Sequence, residues 1–441
     1  MNPKKSEPEK QNNLKSKNSG KTEEKEKKSK KENKPKKEEN KEEPEKDKEA
    51  LDKENLDISY SNFILHYKSP KKSLSKDIDL IKKCKLTNIE RSLTWLLFLN
   101  IIPSNDSSSW NKILTTERDA YAKLVDKYIT PDIESFIELK REKDTELYDN
   151  YKKIIKPEEF DLLNLIKVDI QRTYQEDEIF KLDIVKKKLV SVLYIYSKEN
   201  KELGYQQGMG DICGVFLYVL YKDFYIKPGF EKDELTSLYY LFHANNNYLE
   251  HDLFILFNKL MQKGIYNFFI YNTPKYKDNI LGKKTIEEKL NLNKDDIINS
   301  NDSEIKKRIY ILYYINFKAF EPKLFNILMN DIYPILFLLR WFLCVFTREF
   351  KLSQVFLIWD LIIMYEYVEM EKIKKEKKTN FNFIEAIAMS MLINFKTYII
   401  KNEDKNEILG GLMHYPNDIS IEKICKKAIE IFLKLNPDIN A

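Results

Sequence analysis

Glycine is scarce in this chain: there are ten among 441 residues, and with the 14 prolines they make about half of what average usage would supply. So few turn formers cannot close the many tight turns of a sandwich or barrel, and an all-α architecture is expected. The apolar pattern agrees. In residues 88–103, Leu93, Leu96, Leu97 and Ile101 recur near i, i+3, i+4 and i+8 until Pro103 stops the run, which predicts a buried helix. Residues 183–200 repeat it, with Ile184, Leu189, Val192, Leu193 and Ile195 expected inward and lysines outward. Similar periods recur at 212–222, 235–247, 252–262, 305–319, 332–348, 353–365, 383–400 and 421–434. No period of two persists, so no strand pair is expected.

The first 56 residues hold 18 lysines, 15 acids and only five apolar residues, too few to bury a core, and are expected to be a disordered charged tail. The other 385 carry 57 basic and 55 acidic groups and all of the 56 aromatics, enough for a large core. A net charge near +2 there gives no footprint for nucleic acid. Residues 271–302 and 366–382, rich in Lys, Asn and acids, are expected to be mobile insertions. The longest uncharged stretch, 235–249, contains three Asn, and nothing approaches the ~18 apolar residues of a membrane span. Met1 is followed by a Lys/Glu run, and position 2 is Asn rather than Gly, so neither a secretory signal nor myristoylation is expected and the location is read as cytoplasmic.

Cys84, Cys213, Cys344 and Cys425 lie too far apart for a disulfide framework or zinc pattern and are expected to be buried thiols. His243 and His251, eight apart, fit no helical ligand pair, so no metal site is expected. Neither GxGxxG nor GxxxxGK[ST] occurs, so the chain itself is not expected to bind a nucleotide.

Polar residues interrupt three otherwise ordinary helical segments. Arg91 and Trp95 share a helix face, where Arg91 can lie along the indole or pair with a carboxylate beside it. In IKVDIQRT, residues 166–173, Asp169 and Arg172 are i,i+3 neighbours, a pattern that a surface ion pair also explains. GYQQGMGDI, residues 204–212, gathers three of the ten glycines, which permit close backbone approach around Gln207, although a plain turn would use them too.

The order RxxxW, IxxDxxR and, some 30 residues on, YxQG resembles the TBC domain, the catalytic module of Rab GTPase-activating proteins. The segments RSLTWLLFLNIIPSNDSSSW, YLEHDLF, LRWFLCVFTREFKL with LIWD, and GGLMHYP are similar to the subgroup typified by TBC domain family member five. The resemblance implies one module of two helical lobes over residues 57–435, followed by a short C-terminal end at 436–441. It implies that Arg172 is an arginine finger and Gln207 a second finger, a side-chain amide that orients the attacking water. Asp169, Thr173, Tyr205 and Gly208 would support them or meet the GTPase, and Arg91 and Trp95 would be structural. Many relatives carry Gly where this chain has Asn100, which puts a turn in question. The implied partner is a Rab-family small GTPase in its GTP form, which brings its own GTP and Mg, so no cofactor of the chain's own is expected. An endosomal coat complex, vesicle traffic and recruitment to endosomal membranes through partners are further implications of the subgroup. The rival reading is a non-catalytic helical scaffold that binds a Rab or a vesicle-coat complex.

Overall fold

The computed structural model describes residues 70–104, 106–139, 145–225, 248–272, 280–373, 381–416 and 418–440. The expected tail, residues 1–56, lies outside the described residues, as do 235–247 and His243. Among the described residues there is no strand, and the fold is all-α. No helix of these residues is long and apolar enough to cross a membrane.

The first lobe begins with α1 (Pro70–Lys82) and α2 (Asn88–Phe98), the latter started by Glu90, whose carboxylate accepts from the backbone and hydroxyl of Thr87. α2 closes in a Schellman motif: Asn100 N donates to Leu97 O and Ile101 N to Leu96 O. Asn100 takes the left-handed φ of +56° that the motif demands, so the position where the resemblance led Gly to be expected is met by one of the few side chains that tolerate it. Then follow α3 (Trp110–Tyr128), α4 (Pro131–Glu138), α5 (Pro157–Ile170), α6 (Asp183–Glu199), α7 (Met209–Tyr225) and α8 (Leu249–Leu260). α7 packs against α2, α5, α6 and α8 and is buried along most of its length. The second lobe is built on α9 (Glu304–Tyr310), α10 (Ile335–Leu343), α11 (Leu352–Ile373), α12 (Phe383–Asn394) and α13 (Ile421–Leu435). α11 joins the lobes, lying against α1, α2 and α7 on one side and α12 and α13 on the other.

One buried ion cluster fixes that join. Arg91 Nε lies 3.0 Å from Asp360 Oδ1 and its Nη2 3.0 Å from Oδ2, while Trp95 Nε1 donates to Oδ1 at 2.9 Å. Burial pushes the Asp360 carboxyl up, and the Arg91 guanidinium opposes that shift. Of the two expected arrangements for Arg91 the structure takes the carboxylate pair; its guanidinium lies over the Phe356 ring, 5.3 Å from the centroid, rather than along Trp95.

Four expectations need correction. Ile184 is half exposed, because the buried face of α6 begins at Val185, one turn before Leu189; the other four named residues are fully buried. Residues 280–302 are not a solvated loop but three short helices, Ile280–Lys283, Ile286–Leu290 and Lys294–Ile298, which bury Leu281 and Ile297. Thr285 and Asn293 cap the second and third through side-chain oxygens, chemistry that composition alone conceals. In the other insertion, α11 runs through to Ile373, with Glu366 and Glu369 buried; Phe381 N donates to Glu366 and Asn382 to Glu369. Cys84 is only half-buried, in hydrogen-bonding contact with Cys425. Residues 374–380 lie outside the described residues, and the C-terminal end holds a short helix, Pro437–Asn440, tied to α11 by Lys372 Nζ donating to Ile439 O at 2.7 Å.

The period read across 332–348 also breaks early. α10 ends at Leu343 in a Schellman motif closed by Val345, with φ +46°, and Phe346 follows at +62°. Such positions cost about 1–3 kcal/mol each for residues of this kind. Both are held by burial and by Trp359 Nε1, which donates to Val345 O at 3.0 Å.

Asp360→Ala should lower unfolding free energy by about 3–5 kcal/mol, because it strands a buried guanidinium. The double change Arg91→Met with Asp360→Leu should recover most of that loss. Urea denaturation followed by circular dichroism measures both; a loss under ~1 kcal/mol for Asp360→Ala would show that the cluster does not hold the lobes together.

Candidate functional site

The site is built where α5 ends against the start of α7. At the end of α5, Gln171 remains helical, Arg172 N donates to Asp169 O at 2.9 Å, and Thr173 Oγ1 donates to the same carbonyl at 3.2 Å. Tyr174 then turns the chain at φ +46°, leaving Arg172 beyond the helix with its side chain in solvent.

Between α6 and α7 the chain makes the glycine-rich turn. Gly204 takes φ +63° and Gly208 φ +100°. A Cβ on Gly208 would stand 3.4 Å from Cys344 Sγ, so the backbone lies directly on the turn that follows α10. Tyr205 and Met209 are buried on either side, Gln206 Nε2 donates to Leu203 O, and Gln207 is exposed.

The two segments are joined underneath. The Tyr205 hydroxyl donates to Asp169 Oδ2, linking a residue one helical turn before Arg172 to one two places before Gln207. Burial and the Asp169 charge push the Tyr205 phenol well above its usual range, so it stays a donor. A Cβ on Gly210 would come within 3.0 Å of Ile170 Cδ1 and 3.3 Å of the Tyr205 hydroxyl, and one on Gly214 within 2.8 Å of the Tyr174 ring. Small residues four apart on α7 therefore let the end of α5 and its turn settle on that helix. Tyr174 Oη donates to Asp211 O at 3.1 Å, and the buried Asp211 carboxylate pairs with Arg348 at 2.7 Å.

Among the described residues the arginines divide sharply. Arg91, Arg118, Arg308, Arg340 and Arg348 are paired with Asp360, Asp252, Glu385, Glu349 and Asp211. Arg172 is the one arginine among the described residues whose side chain enters none of the ion pairs or hydrogen bonds seen in them. An exposed, uncommitted guanidinium and an exposed amide thus emerge on either side of a rigid, buried hydrogen bond. Of the residues singled out from sequence, Asp169, Arg172, Thr173, Tyr205, Gln207 and Gly208 come together here, whereas Arg91 and Trp95 belong to the lobe join. Asp211, Arg348 and Tyr174 were missed, although an acid in the first turn of an apolar helix signalled a buried partner. No cluster of three or more His, Cys, Asp or Glu able to hold a metal occurs among the described residues.

The family model described as RabGAP-TBC, Rab-GTPase-TBC domain, matches residues 91–293 and 286–400. The chain belongs to the TBC-domain family. TBC1 domain family member 5 of Mus musculus is 24% identical over 350 residues, covering 77% of this chain and 40% of that protein, and the Homo sapiens protein is 24% identical over 349 residues, with 77% and 41% covered. This TBC chain therefore matches about two fifths of the length of those relatives. GTPase-activating protein gyp1 of Schizosaccharomyces pombe is 22% identical over 196 residues, covering 44% of this chain and 32% of that protein. The solved Ypt/Rab-GAP domain of Gyp1p superposes with a TM-score of 0.56 at 18% identity, covering 81% of this chain and 92% of that one, which shows a shared fold.

Tyr205→Phe removes the donor that Asp169 uses while keeping the ring. It should cost this TBC domain about 1–3 kcal/mol, the penalty for a buried acceptor losing its partner. A shift in the urea midpoint at unchanged slope would report it; an unchanged midpoint would mean that the bond does not join the two segments.

Proposed function

We propose that this chain accelerates GTP hydrolysis on a Rab-family small GTPase in its GTP form, with Arg172 as arginine finger and Gln207 as glutamine finger. The observation that carries this reading is the contrast between Arg172 and the five paired arginines. A finger has to leave its own protein and enter a partner's site, and one already held by a buried carboxylate would first have to break that pair. Membership of the TBC-domain family, and relatives named for GTPase activation, support the same conclusion.

Hydrolysis of GTP develops negative charge on the oxygens around the transferred phosphoryl group and needs a water held in line. The Arg172 guanidinium forks onto two such oxygens, a geometry that the point charge of Lys cannot copy. The Gln207 amide both donates and accepts, so it can hold the attacking water in place of the GTPase's own glutamine. Asp169 would repel phosphate and stays buried; through Tyr205 it fixes where the two fingers start. Thr173 ties down the turn and Gly208 lets the Gln207 loop lie close to its support. GTP and Mg belong to the partner. We further propose, from the subgroup that the sequence resembles, a cytoplasmic protein acting in vesicle and endosomal membrane traffic and recruited to endosomal membranes through partners such as a coat complex.

Single-turnover hydrolysis across a panel of GTP-loaded Rabs tests the reading. On the responsive Rab, Arg172→Ala and Arg172→Lys should each slow stimulated hydrolysis by about 10²-fold or more at nearly unchanged thermal stability. Near-normal activity of the Lys variant would make Arg172 a surface ion-pair residue. Binding without acceleration on every Rab would favour a scaffold.

Gln207 has its own test. The wild-type protein should still accelerate a Rab whose switch-region Gln is changed to Leu, while Gln207→Ala should be inactive on both Rab forms. Dependence on the Rab's own Gln, with Gln207 dispensable, would reduce the mechanism to one finger.

A further inference from the structure

Beneath the Gln207 loop runs the strained turn at residues 344–350. Val345 and Phe346 are successive non-glycine residues with left-handed φ, both buried, and such conformations persist only where the surroundings impose them. Two contacts show what the turn achieves. Cys344 is brought against the Gly208 backbone, and Arg348 is swung round to Asp211, four residues after Gln207 in the first turn of α7.

The ion pair has a particular geometry. Arg348 Nε and Nη2 lie 2.8 Å and 2.7 Å from the same oxygen, Asp211 Oδ2. Asp211 is 8% exposed and Arg348 39%, so the acid is buried while the guanidinium that holds it reaches solvent. The backbone carbonyl of Asp211 also accepts from Tyr174, the residue that turns the chain after Arg172. Asp211 is thereby bonded to both finger-bearing segments, and Arg348 is its charge partner. Burial pushes the Asp211 carboxyl up and Arg348 is the leading influence against it; Asp169 adds a second negative charge nearby.

We propose that Arg348 is a positioning residue: by holding Asp211 it fixes the first turn of α7 and the Tyr174 turn, and so sets Gln207 and Arg172 in one relation to each other. This role rests on the function proposed above. Without Arg348 a buried carboxylate is left unpaired and is drawn toward water, carrying with it the helix start from which the Gln207 loop hangs. Displacement of a catalytic group by about 1 Å can cost around 10²-fold in rate.

The single-oxygen geometry makes the role separable from that of a finger, because one ammonium can serve one oxygen. Single-turnover hydrolysis on the responsive Rab, over a range of enzyme concentrations, is measured for Arg348→Met, Arg348→Lys, Asp211→Asn and the double variant Arg348→Met with Asp211→Asn. Arg348→Met should lower the saturating rate about tenfold or more with little change in half-saturation. Arg348→Lys should stay within about fivefold of wild type, unlike Arg172→Lys. The double variant should recover much of the Arg348→Met loss, since it leaves no buried charge. Melting curves confirm that the variants are folded, and Arg348→Lys carries the test should Arg348→Met not fold. A Lys variant that is folded and as slow as the Met variant, a double variant no faster than Arg348→Met, an effect confined to half-saturation, or wild-type rates throughout would each overturn the positioning role. Arg172→Ala and Gln207→Ala are run alongside: wild-type rates for both would overturn the finger assignment itself, whatever Arg348 does.

Discussion

Asp360 is buried to 2% exposure, yet both of its oxygens are satisfied, by a guanidinium from α2 and an indole from one turn further along the same helix. A carboxylate can be hidden this deeply only if its partners are brought to it in fixed geometry, so α11 cannot slide or rotate against α2 without stranding a charge. Because α11 also carries α12 and α13, the second lobe takes its position from this cluster. The turn after α10 leads directly into α11 and supports the Gln207 loop, so the site depends on the same join.

The chemistry of the site comes from withholding, at one position, what the fold does elsewhere. Five arginines are neutralised by carboxylates, which suits a structure whose basic and acidic groups nearly balance. Arg172 is left in solvent while the residues around it, Asp169, Thr173 and Tyr205, are buried and bonded to one another. On the function proposed above, an exposed side chain on a buried, bonded base would enter a partner's site without the base having to rearrange, which is how preorganisation reduces the cost of catalysis.

Backbone strain is distributed with the same logic. Where a left-handed residue faces open space or must admit a neighbour, the chain uses glycine, as at Gly204 and Gly208. Where the neighbouring turn must supply side chains to the core, it accepts Val345 and Phe346 in a conformation their side chains disfavour. Six non-glycine residues have positive φ among the described residues, and five of them follow closely on a helix end. A chain with so little glycine closes many of its helices with whatever residue stands there.

Local information determined much of this protein. Helical class followed from turn-former scarcity and period, because both act within a few residues, and the segments holding Arg172 and Gln207 stood out because polar groups and glycines interrupted apolar helices. What the sequence could not determine were relations between distant residues. That Arg91 pairs with Asp360 rather than stacking on Trp95, that residues 280–302 fold into capped short helices, that Ile184 projects into solvent, and that Arg348 reaches Asp211 are all outcomes of tertiary packing. In sequence, Arg172 and Arg348 look alike, each an arginine near a helix end with an acid close by. Only the folded chain brought a buried carboxylate to Arg348 and none to Arg172, and so committed one to structure and left the other in solvent.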